Sequence, residues 1–244
     1  MIIEIIRILL IFAFGSLAGW IIEFFYRGMK MNPGFLGGPY LPLYGTGTVI
    51  LNYISGIGTN FMLKLVFFAI ATTLLELFTG IFFIMYYKIR LWDYSKQFLN
   101  FKEIICPLYT FYWTILSALF LFFIYPFIGR IVDLFYKNLE LGFFVGVFYG
   151  VFIVDLSNSF KLAARVKNFL STRKVWMAIN IDFLKSRMNI RLKSLGHNNI
   201  LTRFFSSPNI LLNNELFEQI NLFFEKNKNR VKKMKNDETH NFFE

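Results

Sequence analysis

Three carboxylates stand where a carboxylate is expensive. Glu23, Glu76 and Asp155 each fall inside a long apolar run, Glu76 near the middle of LVFFAIATTLLELFTGIFFIMYY. A charged side chain at bilayer depth costs about 2.5–3.5 kcal/mol on insertion scales, so each of these residues needs a partner or a task. Three tasks are open to a carboxyl there. It can hydrogen-bond two helices together, line a path for a polar or cationic solute, or act as general acid or base on a lipid-linked substrate.

Helical spacing gathers Ala69, Thr72, Thr73, Thr79 and Gly80 on the side of Glu76. A small, hydroxylated stripe of this kind packs against another helix or lines a cavity, while the Phe and Leu residues opposite face lipid. No Lys or Arg lies at the depth of Glu76. Glu23 precedes Arg27 by four residues, the spacing of a helix-surface ion pair. It also shares a face with Gly15 and Gly19, and close helix approach at those glycines would carry it inward. Gly142, Gly146 and Gly150 repeat the four-residue spacing around Asp155's helix, where tight packing is the expectation.

The second unusual feature is backbone. NPGFLGGPYLPLYGTG, Asn32 to Gly47, interrupts the apolar runs with Gly and Pro that a spanning helix does not need. Irregular backbone is tolerated at membrane depth only where protein buries it or water reaches it. Gly37, Gly38, Pro39 and Tyr44 are therefore expected beside the same cytoplasm-facing vestibule as Glu23. In the loop LWDYSKQFLN, Trp92 and Tyr94 read as interfacial anchors at its rim, with Asp93 and Asn100 as polar contacts.

The elements that must position these residues are helices in a membrane. Of 244 residues, 56% are hydrophobic and only 17% charged, against roughly 25% charged in a soluble domain. Four segments reach the length of about 20 apolar residues that a span needs: Ile5 to Tyr26, Leu65 to Tyr87, Ile104 to Tyr125 and Leu139 to Phe160. A fifth, Leu41 to Gly58, is short and broken by Pro and Gly, and either crosses or re-enters. The fold class is all-α, a polytopic membrane helix bundle of about five spans over residues 1–160, followed by a basic cytoplasmic helical tail over 161–244.

Positive charge sets the orientation, because cytoplasmic flanks collect Lys and Arg. With five spans and the C-terminus inside, 22 of the 26 basic residues are cytoplasmic, and Arg7, Lys64, Arg130 and Lys137 are outside. If Leu41 to Gly58 re-enters, the division is 21 to five, so the rule fixes the C-terminus and leaves the N-terminus open. From Lys161 onward sixteen basic residues face seven acidic ones. Apolar residues at helical spacing there (Leu162, Val166, Phe169, Trp176, Phe183) read as an amphipathic helix on the anionic inner leaflet. Nucleic acid is excluded as a partner, since apolar residues and not stacking aromatics interleave the basic ones.

Other chemistry is absent from the sequence. Cys106 is the lone cysteine, and His197 and His240 lie far apart without metal-ligand spacing. No phosphate-cradling GxxxxGK[ST], HExxH or GxSxG is present. No catalytic residue, metal or cofactor is assigned, the chain is not read as an enzyme, and any ATP would be used by a separate subunit.

GWIIEFFYR, NPGFLGGPYLPLYGTG, ELFTG and LWDYSKQFLNFKEIICP occur in that order and together resemble the family labelled putative ABC-transporter type IV, bacterial permease-like membrane proteins. The resemblance covers roughly residues 10 to 160. It implies a multi-pass protein of the bacterial cytoplasmic membrane, a permease component working with an ATPase subunit. The family pattern places glycine where this chain has Glu103. A non-catalytic scaffold that recruits a partner through its basic tail is the alternative, a membrane enzyme acting on a lipid-linked substrate a further one, and self-association into an oligomer stays open.

The charge bias makes a topological prediction. In intact cells Lys96→Cys and Asn199→Cys should resist an impermeant thiol reagent, whereas Asn138→Cys should react. Labelling at position 199 would reverse the orientation.

Overall fold

The computed structural model describes residues 2–29, 35–172, 178–182, 184 and 222. The chain divides into two compact units, residues 1–183 and 184–244. The first holds every element described below; of the second, only Leu184 and Leu222 are described.

Six helices carry the first unit: α1 Ile2–Tyr26, α2 Pro42–Ser55, α3 Phe61–Phe82, α4 Pro107–Leu119, α5 Tyr125–Lys137 and α6 Gly142–Thr172. α3 runs on into a π turn at Phe83–Tyr87, closed by Lys88 in the left-handed conformation (φ 57°). α4 and α5 form one rod through a second π turn at Phe120–Ile124. Pro126 accounts for the irregularity, since it offers no N–H to the preceding turn and its ring crowds that turn's carbonyl. Among the described residues, four helical stretches are long and apolar enough to cross a membrane: Ile3–Tyr26, Phe61–Tyr87, Pro107–Lys137 and Gly142–Ser171.

α2 is the fifth expected segment, and its direction is set by its contacts with α1 and α3. It runs antiparallel to α1 without turning back. Tyr44 near its start donates to Glu23 near the end of α1 (3.1 Å). Asn52 near its end accepts from Arg7 near the start of α1 (3.2 Å). The Ser55 carbonyl then accepts from Lys64 at the head of α3 (2.7 Å), so α3 starts where α2 finished. Fourteen residues of helix span only about 21 Å, short of the roughly 30 Å hydrocarbon layer. The chain before α2 meets α1 at Ser16, well inside that helix.

The α1–α2 seam is built on missing side chains. A Cβ on Gly15 would overlap Thr48, one on Gly19 would overlap the Tyr44 ring, and one on Gly45 would lie 2.7 Å from the Phe12 carbonyl. The approach is close enough for the Leu41 N–H to reach the Ser16 carbonyl (2.9 Å). Behind the seam Ile11, Leu51, Phe68, Phe120, Ile128 and Val132 form one buried cluster.

Several expectations need correction. The glycines of α6 meet no described neighbour: among the described residues nothing lies within 4 Å of a Cβ built on Gly142, Gly146 or Gly150. Spacing reports that a face is flat, and it says nothing of whether a neighbour stands opposite. The third span does not end at Tyr125 but continues through α5 to Lys137. The boundary expected between residues 160 and 161 falls inside α6, which extends about 46 Å as an unbroken helix. The helical tail reading holds to Thr172. Beyond it Ile179–Asn180 is extended and pairs in parallel with Ile89–Arg90, and the rest of the tail lies outside the described residues apart from a few positions. Ala163, Val166 and Leu170 in this part of the tail are fully buried, while Leu162 and Phe169 are partly exposed.

The glycine contrast is testable by thermal denaturation in detergent. Gly45→Ala should lower stability by about 1–3 kcal/mol through overpacking. Gly146→Ala should leave it unchanged or raise it by up to about 1 kcal/mol, as for a helix-interior Gly with open space beside it. Equal losses at both positions would contradict the described seam.

Candidate functional site

The polar residues singled out from the sequence fall into two groups. The first is a knot around Asp155 on α6. Its carboxylate accepts from the Gly37 amide (2.9 and 3.1 Å to its two oxygens), the Gly38 amide (2.9 Å), the Tyr40 hydroxyl (2.9 Å) and the Ser159 hydroxyl (3.3 Å). Asp155 is 5% exposed and Tyr40 3%. Burial, followed by the adjacent Asp155 charge, holds the Tyr40 phenol well above its ordinary pKa, so it serves as a donor throughout the physiological range. The loop amides expected to border a vestibule are thus bound by a buried carboxylate. The Tyr44 and Gly45 amides are not free either, since both bond the Leu41 carbonyl. Pro39 is exposed and belongs to neither group.

The second group joins Glu23, Tyr44, Glu76 and Tyr94. The Glu23 carboxylate pairs with Arg27 (2.8 Å) and accepts from the Tyr44 hydroxyl. Arg27 also reaches Asp182 (3.1 Å), a contact across 155 residues. Glu76 on α3 is 2% exposed. Its Oε1 accepts from the Tyr94 hydroxyl (2.7 Å). Its Oε2 has no hydrogen-bond partner among the described residues. The Trp113 indole on α4 lies beside this carboxylate without completing a bond of ordinary geometry. Both carboxylates lie within electrostatic reach of the Tyr44 hydroxyl.

The stripe predicted around Glu76 is present. Thr72 is buried, Thr73 meets Thr110 of α4 (2.9 Å), and Gly80 leaves room for Ile104. Tyr94 departs from its expected role. It is not a headgroup anchor but is folded inward, stacked on Tyr109 (centroids 4.1 Å, 7° between planes), and Tyr109 in turn meets the Tyr26 hydroxyl (2.8 Å). Burial and then the neighbouring Glu76 push the Tyr94 phenol far up, leaving it a permanent donor. Trp92 likewise turns inward, its indole bonding the Ile104 carbonyl (2.8 Å).

Asp93 and Asn100 build the loop and do not join the carboxylates. Asp93 bonds the Ser95 amide (2.9 Å) and Arg90, and Asn100 bonds the Ser95 and Gln97 carbonyls and the Glu103 amide. For Asp93, partial burial works upward and is outweighed by the Ser95 bonds and the Arg90 charge, so its pKa lies below the ordinary value. Glu103 adopts φ 61°, the left-handed conformation natural to glycine, and its side chain pairs with Arg90. The turn survives without glycine because an ion pair holds it.

Between the helices lies an apolar cavity of about 490 Å³, lined by residues of α1, α2 and the α4–α5 rod, with Thr72 of α3 and Phe144, Val145 and Phe148 of α6. Tyr44 and Trp113 line it with rings 4.7 Å apart, one bonded to Glu23 and the other beside Glu76. Phe14, Phe123 and Phe144 also line it and are each more than half exposed, so it opens on the apolar exterior of the bundle. Sequence reasoning missed Trp113, Tyr109 and Asp182. The four-residue spacing of Tyr109 and Trp113 was the available signal for the first two.

Over residues 10–160 the chain matches the family model described as Putative ABC-transporter type IV. The chain belongs to that family. The match contains both polar groups except for Asp182, and it agrees with the family read from the motifs. No curated protein and no solved structure matches the chain significantly. As a member of the putative ABC-transporter type IV family with four helices fit to span, it is a transport-related, multi-pass membrane protein.

The Glu76 contact predicts a selective loss. Tyr94→Phe keeps the stack on Tyr109 but leaves Glu76 without its donor, and should cost about 1–3 kcal/mol in thermal or denaturant stability. Tyr109→Phe loses only an exposed hydroxyl contact and should cost less than about 1 kcal/mol.

Proposed function

We propose that this chain is the membrane permease component of a transport system, and that it handles an amphiphilic solute drawn from the apolar layer. The carrying observation is the 490 Å³ cavity, open to the bundle exterior and backed by Tyr44 and Trp113 with Glu23 and Glu76 behind them. Its volume lies within the range of about 300–1,000 Å³ common to small-molecule sites. A continuous polar path is not what the geometry supports. Glu76 and Asp155 are almost fully buried, and Asp155 is saturated with donors.

The direction of α2, antiparallel to α1, supports a reading with five crossings, in which the charge bias would place the C-terminus in the cytoplasm and the N-terminus outside. Energy would come from a separate ATPase subunit docking on the cytoplasmic side. The basic residues beyond Lys161 would lie against anionic lipid there.

Cells lacking the protein should accumulate fluorescent amphiphiles differently from wild type. Cells carrying Trp113→Ala should resemble the deletion at normal protein abundance. If amphiphiles of positive, negative and zero charge all distribute as in wild type, the permease reading fails.

A further inference from the structure

The two ends of the cavity differ in chemistry, and the difference selects a charge. The walls are aliphatic and aromatic, and no Lys or Arg is among the residues lining it. At the inner end stand the rings of Tyr44 and Trp113, whose π faces attract a cation within about 6 Å. Behind them stand the carboxylates of Glu23 and Glu76, and the nearby guanidinium of Arg27 is already engaged by Glu23 and by the more exposed Asp182. Glu76 keeps a buried oxygen with no donor among the described residues. In a low-dielectric layer such a field reaches well past contact distance.

An anion at the Tyr44 and Trp113 end would meet this field with no lining cation to receive it, since Arg7 lies toward the start of α1 and is bonded to Asn52. A neutral acyl chain would fill the walls and leave the Glu76 oxygen uncompensated. A cation carried on an apolar body would satisfy both ends. We propose that the cavity binds a lipophilic cation, its apolar body between α1, α2 and the α4–α5 rod, and its charge on the faces of Tyr44 and Trp113 in front of Glu76 and Glu23. This substrate class rests on the reading of the cavity as the transport site.

The test is equilibrium binding to the purified full-length protein in neutral detergent, with tetraphenylphosphonium as probe and tetraphenylborate, the same shape with opposite charge, as comparison. Saturable binding of the cation, at least about tenfold tighter than the anion, is expected. Glu76→Gln should weaken it about tenfold while the anion is unaffected, and Trp113→Leu should weaken it several-fold. Equal affinity for the two ions overturns the proposal, and that comparison needs no variant if Glu76→Gln fails to fold. Phospholipid retained on the protein and not displaced by tetraphenylphosphonium would make the cavity a lipid seat and also overturn it. Binding with unchanged cellular accumulation would sink the permease reading alone. No cation binding, with altered accumulation of other amphiphiles, would sink the cation assignment alone.

Discussion

The demand of buried backbone for hydrogen-bond partners shapes much of this structure. α2 supplies fourteen residues, fewer than the about twenty of a full span, and the Gly-rich chain before it meets α1 at Ser16, well inside that helix, as irregular backbone. Unbonded amides there cost several kcal/mol each. Asp155 meets that demand, and the exchange is mutual, because a buried carboxylate without donors would be as costly as the amides without an acceptor. The bond from Gly37 to Asp155 links positions 118 residues apart and ties α6 to the entry of α2.

From that anchor the remaining geometry follows by contact. With the loop fixed, α2 must lie along α1, and the glycines at positions 15, 19 and 45 allow the backbones to approach until Leu41 bonds Ser16. Tyr44 is then carried over Gly19 to the Glu23 carboxylate. The same ring forms part of the cavity wall and meets Trp113. The polar cluster therefore depends on a seam of glycines whose only contribution is the absence of a side chain.

The parts legible in sequence were those governed by helical periodicity. The shared face of Gly15, Gly19 and Glu23, the Glu23–Arg27 pair and the stripe around Glu76 all obey local spacing, and all appear as read. What spacing cannot carry is the identity of a distant partner. Nothing near Asp155 signals Gly37, and nothing near Arg27 signals Asp182. α5 was missed because Arg130, Asp133 and Lys137 lower its hydropathy, although Ile128 and Val132 on its other face reach the core. The glycines of α6 look like those of α1 in sequence and differ in having no neighbour among the described residues.

Buried carboxylates in a membrane bundle are often treated as one class, yet the donors around them separate these. Asp155 receives two amides and two hydroxyls, so both its oxygens are satisfied, and any solute seeking it would have to break the loop that positions α2. Glu23 divides its attention between Arg27 and Tyr44 and is tied to the helix seam. Glu76 alone of the three keeps one oxygen satisfied and one without a donor, at 2% exposure. A carboxylate serving only as glue loses nothing by acquiring a second donor, and Thr, Ser or Tyr at a neighbouring position would supply one. An unfilled acceptor maintained in the apolar layer is a standing cost of about 1–3 kcal/mol, and it lies beside the indole that closes the cavity. The asymmetry between Asp155 and Glu76 lies in their donors and not in the burial they share: Asp155 is saturated, whereas Glu76 has the Tyr94 hydroxyl on one oxygen and only the nearby Trp113 indole for the other.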